Sequence, residues 1–404
     1  MSVARGAFGI LVILAICLLL SRNRRAVSYR IVVGGLLVQI ALGVVVFKTA
    51  GGGQALQSLT SAFTRMLEFS YVGSGFVFGQ FGTKSDDPNG FILAFQVLPI
   101  VIFFAALMAV LYHFRVMQIC VYFFARMLSS LLRISGAESM VVTANVFVGI
   151  TEAPLVVRPY LERMTQSELM ALMTGGFATV AGTVFGVYLS FVGEAYGPFL
   201  LAASVMSAPA AFVVAKIIEP ETEAPATGSA FKLDLSRPYP NVLVAISQGT
   251  SDGLRLALNI GAMLIAFYSL IALANWPLDV WFGTSMQEIF GVLLRPLAWC
   301  LGVSWQDSGH VGSLLGLKIS TTEFFAYASL SQMVAEQAIS ERSIKISTFA
   351  LCGFANFGSI GVTLGGLGQL IPSRREDFSR MALTAMVGGA LASFLTATIA
   401  SAFL

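Results

Sequence analysis

The sequence predicts an all-α polytopic membrane protein, with eight transmembrane helices and two opposed re-entrant hairpins arranged as an inverted repeat. Three observations predict it. The 404 residues are 56% hydrophobic and only 11% charged, with a mean hydropathy of +0.82, whereas soluble domains carry about 25% charged residues. Apolar runs of the roughly 20 residues needed to cross a bilayer recur from one end of the chain to the other. Finally, one phrase occurs twice: Thr-Glu in an apolar stretch, a return, then Gly-Phe-Ala and a small polar residue inside a long apolar run. The first copy is Thr151-Glu152 followed by Gly176-Phe177-Ala178-Thr179, and the second is Thr322-Glu323 followed by Gly353-Phe354-Ala355-Asn356. Half-length copies that interrupt hydrophobic segments in this way are the pattern of secondary transporters, whose sites form where broken helices of two repeats meet.

The first span covers about residues 4–20 and the second about 31–48. Arg22, Arg24, Arg25 and Arg30 mark the loop between them as cytoplasmic, which places the N-terminus outside. The N-terminal apolar run ends without a small-residue cleavage site and is read as a retained helix. An amphipathic stretch over residues 54–69 then lies along the outer surface, and residues 82–90 form a turn-rich loop. A third span, 91–112, returns the chain to the cytoplasm, where Arg115, Arg126 and Arg133 flank an interfacial stretch, 115–133. Gly149, Pro154 and Pro159 break residues 138–163 into a hairpin whose tip lies near 149–154. Spans at 168–192 and 197–218 lead to a polar, Pro-rich cytoplasmic linker, 219–240.

The second half repeats the plan. An amphipathic segment, 241–258, precedes a span at 259–277, and Trp276, Trp281, Trp299 and Trp305 fit an interfacial aromatic belt. Residues 307–338 form the second hairpin, entering from the opposite face. Spans at 343–371 and 377–403 finish the chain, with Arg374 and Arg375 between them on the cytoplasmic side, so the C-terminus also lies outside.

Ionisable groups at membrane depth cost about 2.5–3.5 kcal/mol each, so Glu152 and Glu323 at the hairpin tips need a reason to be there. One reading is helix capping, shared with the neighbouring threonines; the other is ligand binding, and the two can coexist. Asn145 and Thr179, beside the glycine-rich stretch from Gly175 to Thr183, offer an amide, a hydroxyl and unwound carbonyls, a hard-oxygen cage for a small cation such as sodium. The glycines serve helix packing equally well. The second break offers Asn356, Ser359 and the aromatic faces of Phe354 and Phe357, and with Glu323 suits a neutral, hydroxyl-rich ligand carrying a flat ring. Core packing is the competing reading for the two phenylalanines. No cluster of arginines or lysines converges here, which argues against phosphorylated ligands.

The segments GITEAPLVVRPYL (149–161), MTGGFATVAGTVFG (173–186), TEFFAY (322–327) and FALCGFANFGSIGVTLGGL (349–367) resemble those of the concentrative nucleoside transporter family, from the second span onward. The resemblance implies a homotrimer in which three mobile transport domains move by an elevator-like mechanism, each protomer coupling nucleoside uptake to a cation. It divides the chain into scaffold helices (1–112 with 259–277), a first transport-domain repeat (113–218), and a sixth helix with the second repeat (241–404). Carried over position by position, Gly149, Ile150, Thr151, Glu152 and Val184 face the base, and Glu323, Phe354, Asn356 and Ser359 hold the ribose. The sodium site falls on the side chains of Asn145 and Thr179 and the main-chain carbonyls of Val148 and Val180. Ile150 stands where many members carry glutamine, which removes an amide partner for the base and leaves room for purines. Thr322 and Gly358 stand where asparagine and serine are frequent, which weakens selectivity for the sugar.

The resemblance thus implies sodium–nucleoside symport across a bacterial inner membrane, with proton coupling as the alternative ion and a passive channel as the alternative class. An enzyme is disfavoured: Asp86-Asp87 stands alone, without the aspartate clusters that a prenyl transferase needs, and no phosphate-binding Gly-x-x-x-x-Gly-Lys-Ser/Thr loop exists. No cofactor is expected beyond the coupling ion. Four scattered cysteines support neither zinc nor disulfides, and a net charge of +3 does not suggest nucleic acid.

Overall fold

The computed structural model describes residues 2–83, 92–228 and 239–404, and the described residues contain helices but no strand. Residues 84–90 of the expected turn-rich loop (82–90) and 229–238 of the linker (219–240) lie outside them. The chain begins with α1 (Ser2–Leu20), α2 (Tyr29–Lys48), α3 (Ala50–Phe78), α4 (Leu93–Gln96) and α5 (Leu98–His113). The surface-lying stretch expected over residues 54–69 is part of α3, a single helix of 29 residues. Then come α6 (Val116–Leu132), α7 (Gly136–Asn145), α8 (Gln166–Ala178), α9 (Gly182–Val192) and α10 (Gly197–Ile218). The second half holds α11 (Val242–Phe282), α12 (Met286–Cys300), α13 (Ser308–Ser320), α14 (Glu323–Ala335), α15 (Glu341–Leu351), α16 (Phe357–Leu370) and α17 (Arg375–Ser401).

Among the described residues, six helical stretches are long and apolar enough to cross a membrane: Tyr29–Lys48, Leu93–His113, Gln166–Val192, Glu194–Ile218, Val242–Phe282 and Pro372–Ser401. The expected first span, Ala4–Leu20, is apolar but shorter. The expected span at 343–371 is divided between α15 and α16, and α15 carries Glu341, Arg342 and Lys345.

Helix α11 departs most from expectation. Residues 241–258 and 259–277 form one helix of 41 residues, because Asn241 caps its start, accepting from the Val244 amide at 2.9 Å, and no proline interrupts it before Pro277. Gly249 and Gly253 face α5 so closely that a Cβ would sit 2.7–2.9 Å from atoms of Ile102, Ala105, Ala106 and Ala109. Small residues four apart let two helix backbones touch.

Both segments expected to be re-entrant turn back on themselves. In the first, α7 runs to Asn145 and the return arm has only short 3-10 turns at Ala153–Val157 and Leu161–Arg163, since Pro154 and Pro159 deny it an α-helical ladder. In the second, α13 and α14 are both helical and reverse at Thr321-Thr322, with the Thr322 hydroxyl accepting from the Phe325 amide at 3.4 Å.

The two broken helices, α8–α9 and α15–α16, pack against each other at their breaks. Gly353 has φ +105°, and a Cβ there would lie 2.6 Å from the Phe177 carbonyl oxygen and 2.7 Å from that of Ala178. Position 353 therefore requires glycine on two grounds, backbone conformation and contact. Helix α17 covers this junction, with Gly389 against Phe177.

At the opposite end, Ser135 and Thr165 form capping boxes with Glu138 and Glu168 at the starts of α7 and α8. Buried Lys216 pairs with Glu138 at 2.6 Å, and the first residues after α10 fold over these helix starts, with the Gly136 amide donating to the Gly228 carbonyl at 2.8 Å. The described part of the expected linker is thus packed. Gly353→Ala should lower stability by about 2–4 kcal/mol through strain and overpacking, read as a lower thermal unfolding midpoint in detergent; an unchanged midpoint would show that the breaks separate freely.

Candidate functional site

The breaks and the hairpin tips converge on one cavity of about 380 Å³, a volume typical of small-molecule sites. Gly149, Ile150, Thr151, Glu152, Val184, Glu323, Phe354, Asn356 and Ser359, the residues expected to face base and ribose, all line it. Glu152 and Glu323, far apart in sequence, share that lining.

Glu323 is the most constrained. It is the first residue of α14, 1% exposed, and a carboxylate there gains from the partial positive charge of the helix N-terminus. Its Oε1 accepts from the Tyr188 hydroxyl at 2.9 Å and its Oε2 from Asn356 Nδ2 at 2.8 Å. The Asn356 amide in turn caps α16, its Oδ1 accepting from the Ser359 amide at 2.8 Å. One carboxylate thereby ties the second hairpin to α9 of the first repeat and to the second break. The cap of α14 is Thr322, not Glu323; the carboxylate is instead anchored by Tyr188 and Asn356 and lines the cavity.

Glu152 sits differently, exposed to the cavity mouth and folded back over its own turn. A Cβ on Gly149 would meet its Oε2 at 2.2 Å, so glycine at 149 makes room for the carboxylate. Ile150 lies against Gly176, where a Cβ would meet its Cγ1 at 2.4 Å, which gives this wall an apolar surface without a hydrogen-bonding group. Thr322 and Gly358 also line the cavity. Phe354 lines it, half-buried, whereas Phe357 is 55% exposed and does not. The expected pair of aromatic faces is therefore one face, and the competing reading, core packing, holds in part for Phe354, which also packs against the hydrophobic core.

Beside the cavity, Asn145, Val148, Thr179 and Val180 come together as expected. All four are buried. The Thr179 hydroxyl donates to the carbonyls of Asn145 at 3.1 Å and Gly175 at 2.9 Å, and the Gly182 amide donates to Phe147 at 3.0 Å, stitching the first tip to the first break. Asn145 Oδ1 is buried without a hydrogen-bond partner, an orphan oxygen of the kind that a cation satisfies. Among the described residues no cluster of three or more His, Cys, Asp or Glu is placed for a metal, so an ion held here would draw on neutral amide, hydroxyl and carbonyl oxygens.

Several residues of the site escaped the sequence reading, among them Tyr188, which stands behind the cavity lining on Glu323. Tyr188 follows Val184 by one helical turn on α9, so the i,i+4 rule would have found it. Asn259, Leu256 and Met263 come from α11, and the signal was an amide at the middle of a long apolar helix. A larger surface cleft of about 630 Å³ lies between α12, α13 and α14, away from both breaks.

Family models for the N-terminal and C-terminal parts of Na+-dependent nucleoside transporters match residues 8–81 and 199–401, and a nucleoside-recognition gate model matches 94–195. The chain belongs to the concentrative nucleoside transporter family. It is 40% identical to the nucleoside permease NupC of Helicobacter pylori, over 98% of this chain and 96% of that one. It is 41% identical to the rat sodium/nucleoside cotransporter 1, over 97% of this chain and 62% of that one. Its fold superimposes on CNTnw in an inward-facing, substrate-bound state with a TM-score of 0.94 and 40% identity, covering 100% of this chain and 98% of the other. A substituted form of CNTnw in an outward-facing state matches at 0.93, with 39% identity and the same coverage. This member of the family is an integral membrane transporter, not an enzyme.

Removing the Tyr188 hydroxyl leaves one oxygen of a buried carboxylate without its donor. Tyr188→Phe should cost about 1.5–3 kcal/mol of stability, and its effect should be non-additive with Glu323→Gln by about 1–2 kcal/mol in a double-mutant cycle. Strict additivity of the two thermal shifts would show that the hydroxyl and carboxylate are not coupled.

Proposed function

We propose that this transporter imports nucleosides across the bacterial inner membrane by sodium symport, with both termini outside. The observation that carries the reading is the meeting of both acidic hairpin tips in one cavity, next to the orphan amide oxygen of Asn145. In this reading Glu323, Asn356 and Ser359 hydrogen-bond the ribose, with Phe354 beside it. Gly149, Ile150, Thr151, Glu152 and Val184 take the base. The apolar wall at Ile150 favours acceptance of purine as well as pyrimidine nucleosides. Sodium is held by Asn145, Val148, Thr179 and Val180, and its ligand oxygens belong to the same hairpin tip that carries Thr151 and Glu152. Ion binding therefore orders the base subsite before the nucleoside arrives.

The energetics suffice. One monovalent cation crossing about 100 mV supplies roughly 2.3 kcal/mol, and at about 1.4 kcal/mol per decade that supports some 40-fold accumulation. The two repeats form the mobile transport domain, and α11 with the helices of residues 1–112 forms the scaffold, consistent with the packing of α11 on α5. Exposed apolar rows on α3 and α11, including Phe69, Val72, Phe76, Leu258, Ile265 and Leu273, suit lipid and the subunit contacts of a homotrimer.

Uptake of labelled uridine and adenosine into sealed proteoliposomes tests this. Glu323→Gln should insert and fold yet lose uptake by at least about 100-fold, the effect of losing a charged hydrogen-bonding partner; near-normal uptake would overturn the site. Asn145→Ala should raise the sodium concentration for half-maximal uptake by about tenfold. Equal uptake by that variant and the parent in a sodium titration would remove sodium from the site, and uptake driven instead by an imposed proton gradient would favour proton coupling.

A further inference from the structure

We propose that Lys318 is a positioning residue of the transport cycle: its ammonium is a cation fixed to the chain, serving the broken helix of the second repeat as a mobile sodium ion serves that of the first. The proposal rests on the sodium reading above. Lys318 lies in α13, inside the second hairpin, and is 0% exposed. Its Nζ donates to the carbonyls of Ala350 and Cys352, each at 3.0 Å, and stands 5.8 Å from the centre of the Phe394 ring.

The position is equivalent in the two repeats. In the first, α7 and α8 start together, where the Ser135 hydroxyl donates to Glu168, and end together, where Thr179 meets Asn145. In the second, α13 and α15 start together, the Ser340 hydroxyl donating to Asp307 at 2.6 Å. They end together at Lys318. Each repeat is thus a hairpin helix and a half-helix bound at both ends, and Lys318 occupies the far junction that Asn145 and Thr179 make in the first.

Charge explains why the two junctions differ in what fills them. A helix C-terminus carries about half a negative charge, and those of α8 and α15 abut where Gly353 meets the Phe177 and Ala178 carbonyls. Two such ends approach about one negative charge in a low-dielectric interior. Lys318 reaches the last carbonyls of α15 only. Helices α7, α8 and α9 contain no lysine or arginine, and Lys216 is engaged with Glu138 at the opposite end of α7, so no side chain of these helices supplies the matching charge at the first junction.

Dual-label uptake in proteoliposomes, with radioactive sodium and labelled uridine, tests the proposal. The parent should carry about one sodium per nucleoside, as one open helix end requires. In Lys318→Gln the second junction loses its fixed charge, so the sodium Hill coefficient should rise towards about two. At low sodium the apparent nucleoside affinity should fall about tenfold and return as sodium is raised. Lys318→Arg should restore both values. A merely structural lysine would lower thermal stability in Lys318→Gln while leaving the sodium dependence of the folded fraction unchanged, and that result would overturn the proposal. A ratio of two in the parent would also overturn it, whether or not any variant folds, and would leave the sodium reading standing. Sodium-independent uptake by the parent would sink the sodium reading and this proposal with it.

Discussion

Backbone that leaves the helical ladder inside an apolar interior must find new hydrogen-bond partners, and the rest of this structure is organised to supply them. The chain does this twice, at residues 179–181 and 352–356, where α8 and α15 stop and α9 and α16 begin. An unpaired polar group there would cost several kcal/mol. The first break is met by the first hairpin tip, through the Thr179 hydroxyl on Asn145 and the Gly182 amide on the Phe147 carbonyl. The second is met by Lys318 and by the Ser393 hydroxyl of α17, both of which donate to the Cys352 carbonyl. Asn356 then caps the helix that restarts. The hairpins turn back because partners for a mid-helix break must be brought to the break and taken away again.

Much of this was legible because the break imposes chemistry on specific residues. Gly353 must tolerate φ +105° and a contact that excludes a side chain, so the Gly-Phe-Ala phrase marks the break, and the polar residue after it supplies a cap or a junction. The carboxylates at the tips were legible because charge is rare at that depth. Tyr188 was not, since a tyrosine in an apolar helix reads as core until its hydroxyl is seen on Glu323. The break of α11 into two segments was expected from amphipathicity at residues 241–258. That polarity instead marks one end of a continuous helix whose glycine face seats on α5. Phe357 failed for a related reason: it follows Asn356 directly, and the cap turns the new helix so that Phe357 points away from the cavity that Asn356 lines.

The carboxylate–hydroxyl ties at the helix starts give each repeat a second fixed point. Ser135 to Glu168 in one and Ser340 to Asp307 in the other hold hairpin helix and half-helix together at the end remote from the cavity. In the first repeat Lys216 adds a buried pair with Glu138, and losing either partner of such a pair costs about 3–5 kcal/mol. Helices joined at both ends resist sliding past each other, so each repeat behaves as one piece. The two pieces are in turn joined by the packed breaks and by Glu323, which bridges Tyr188 of one repeat to Asn356 of the other.

That rigidity has a consequence for how a ligand could be carried. The cavity floor is built from the joined repeats, but one wall comes from Leu256, Asn259 and Met263 of α11, whose main packing partner is α5. The polar contacts that hold Glu323 all lie within the repeats and none reaches α11. If the repeats move against α11, as in the proposed elevator mechanism, the polar groups around Glu323 keep their geometry while the apolar wall opposite them changes. Apolar surface resists sliding less than directional hydrogen bonds do, because dispersion contacts are individually weak and not tied to one geometry. Directional polar groups within the repeats and apolar side chains on most of the α11 wall would, in that mechanism, let a bound ligand stay held while the path to it switches from one face of the membrane to the other.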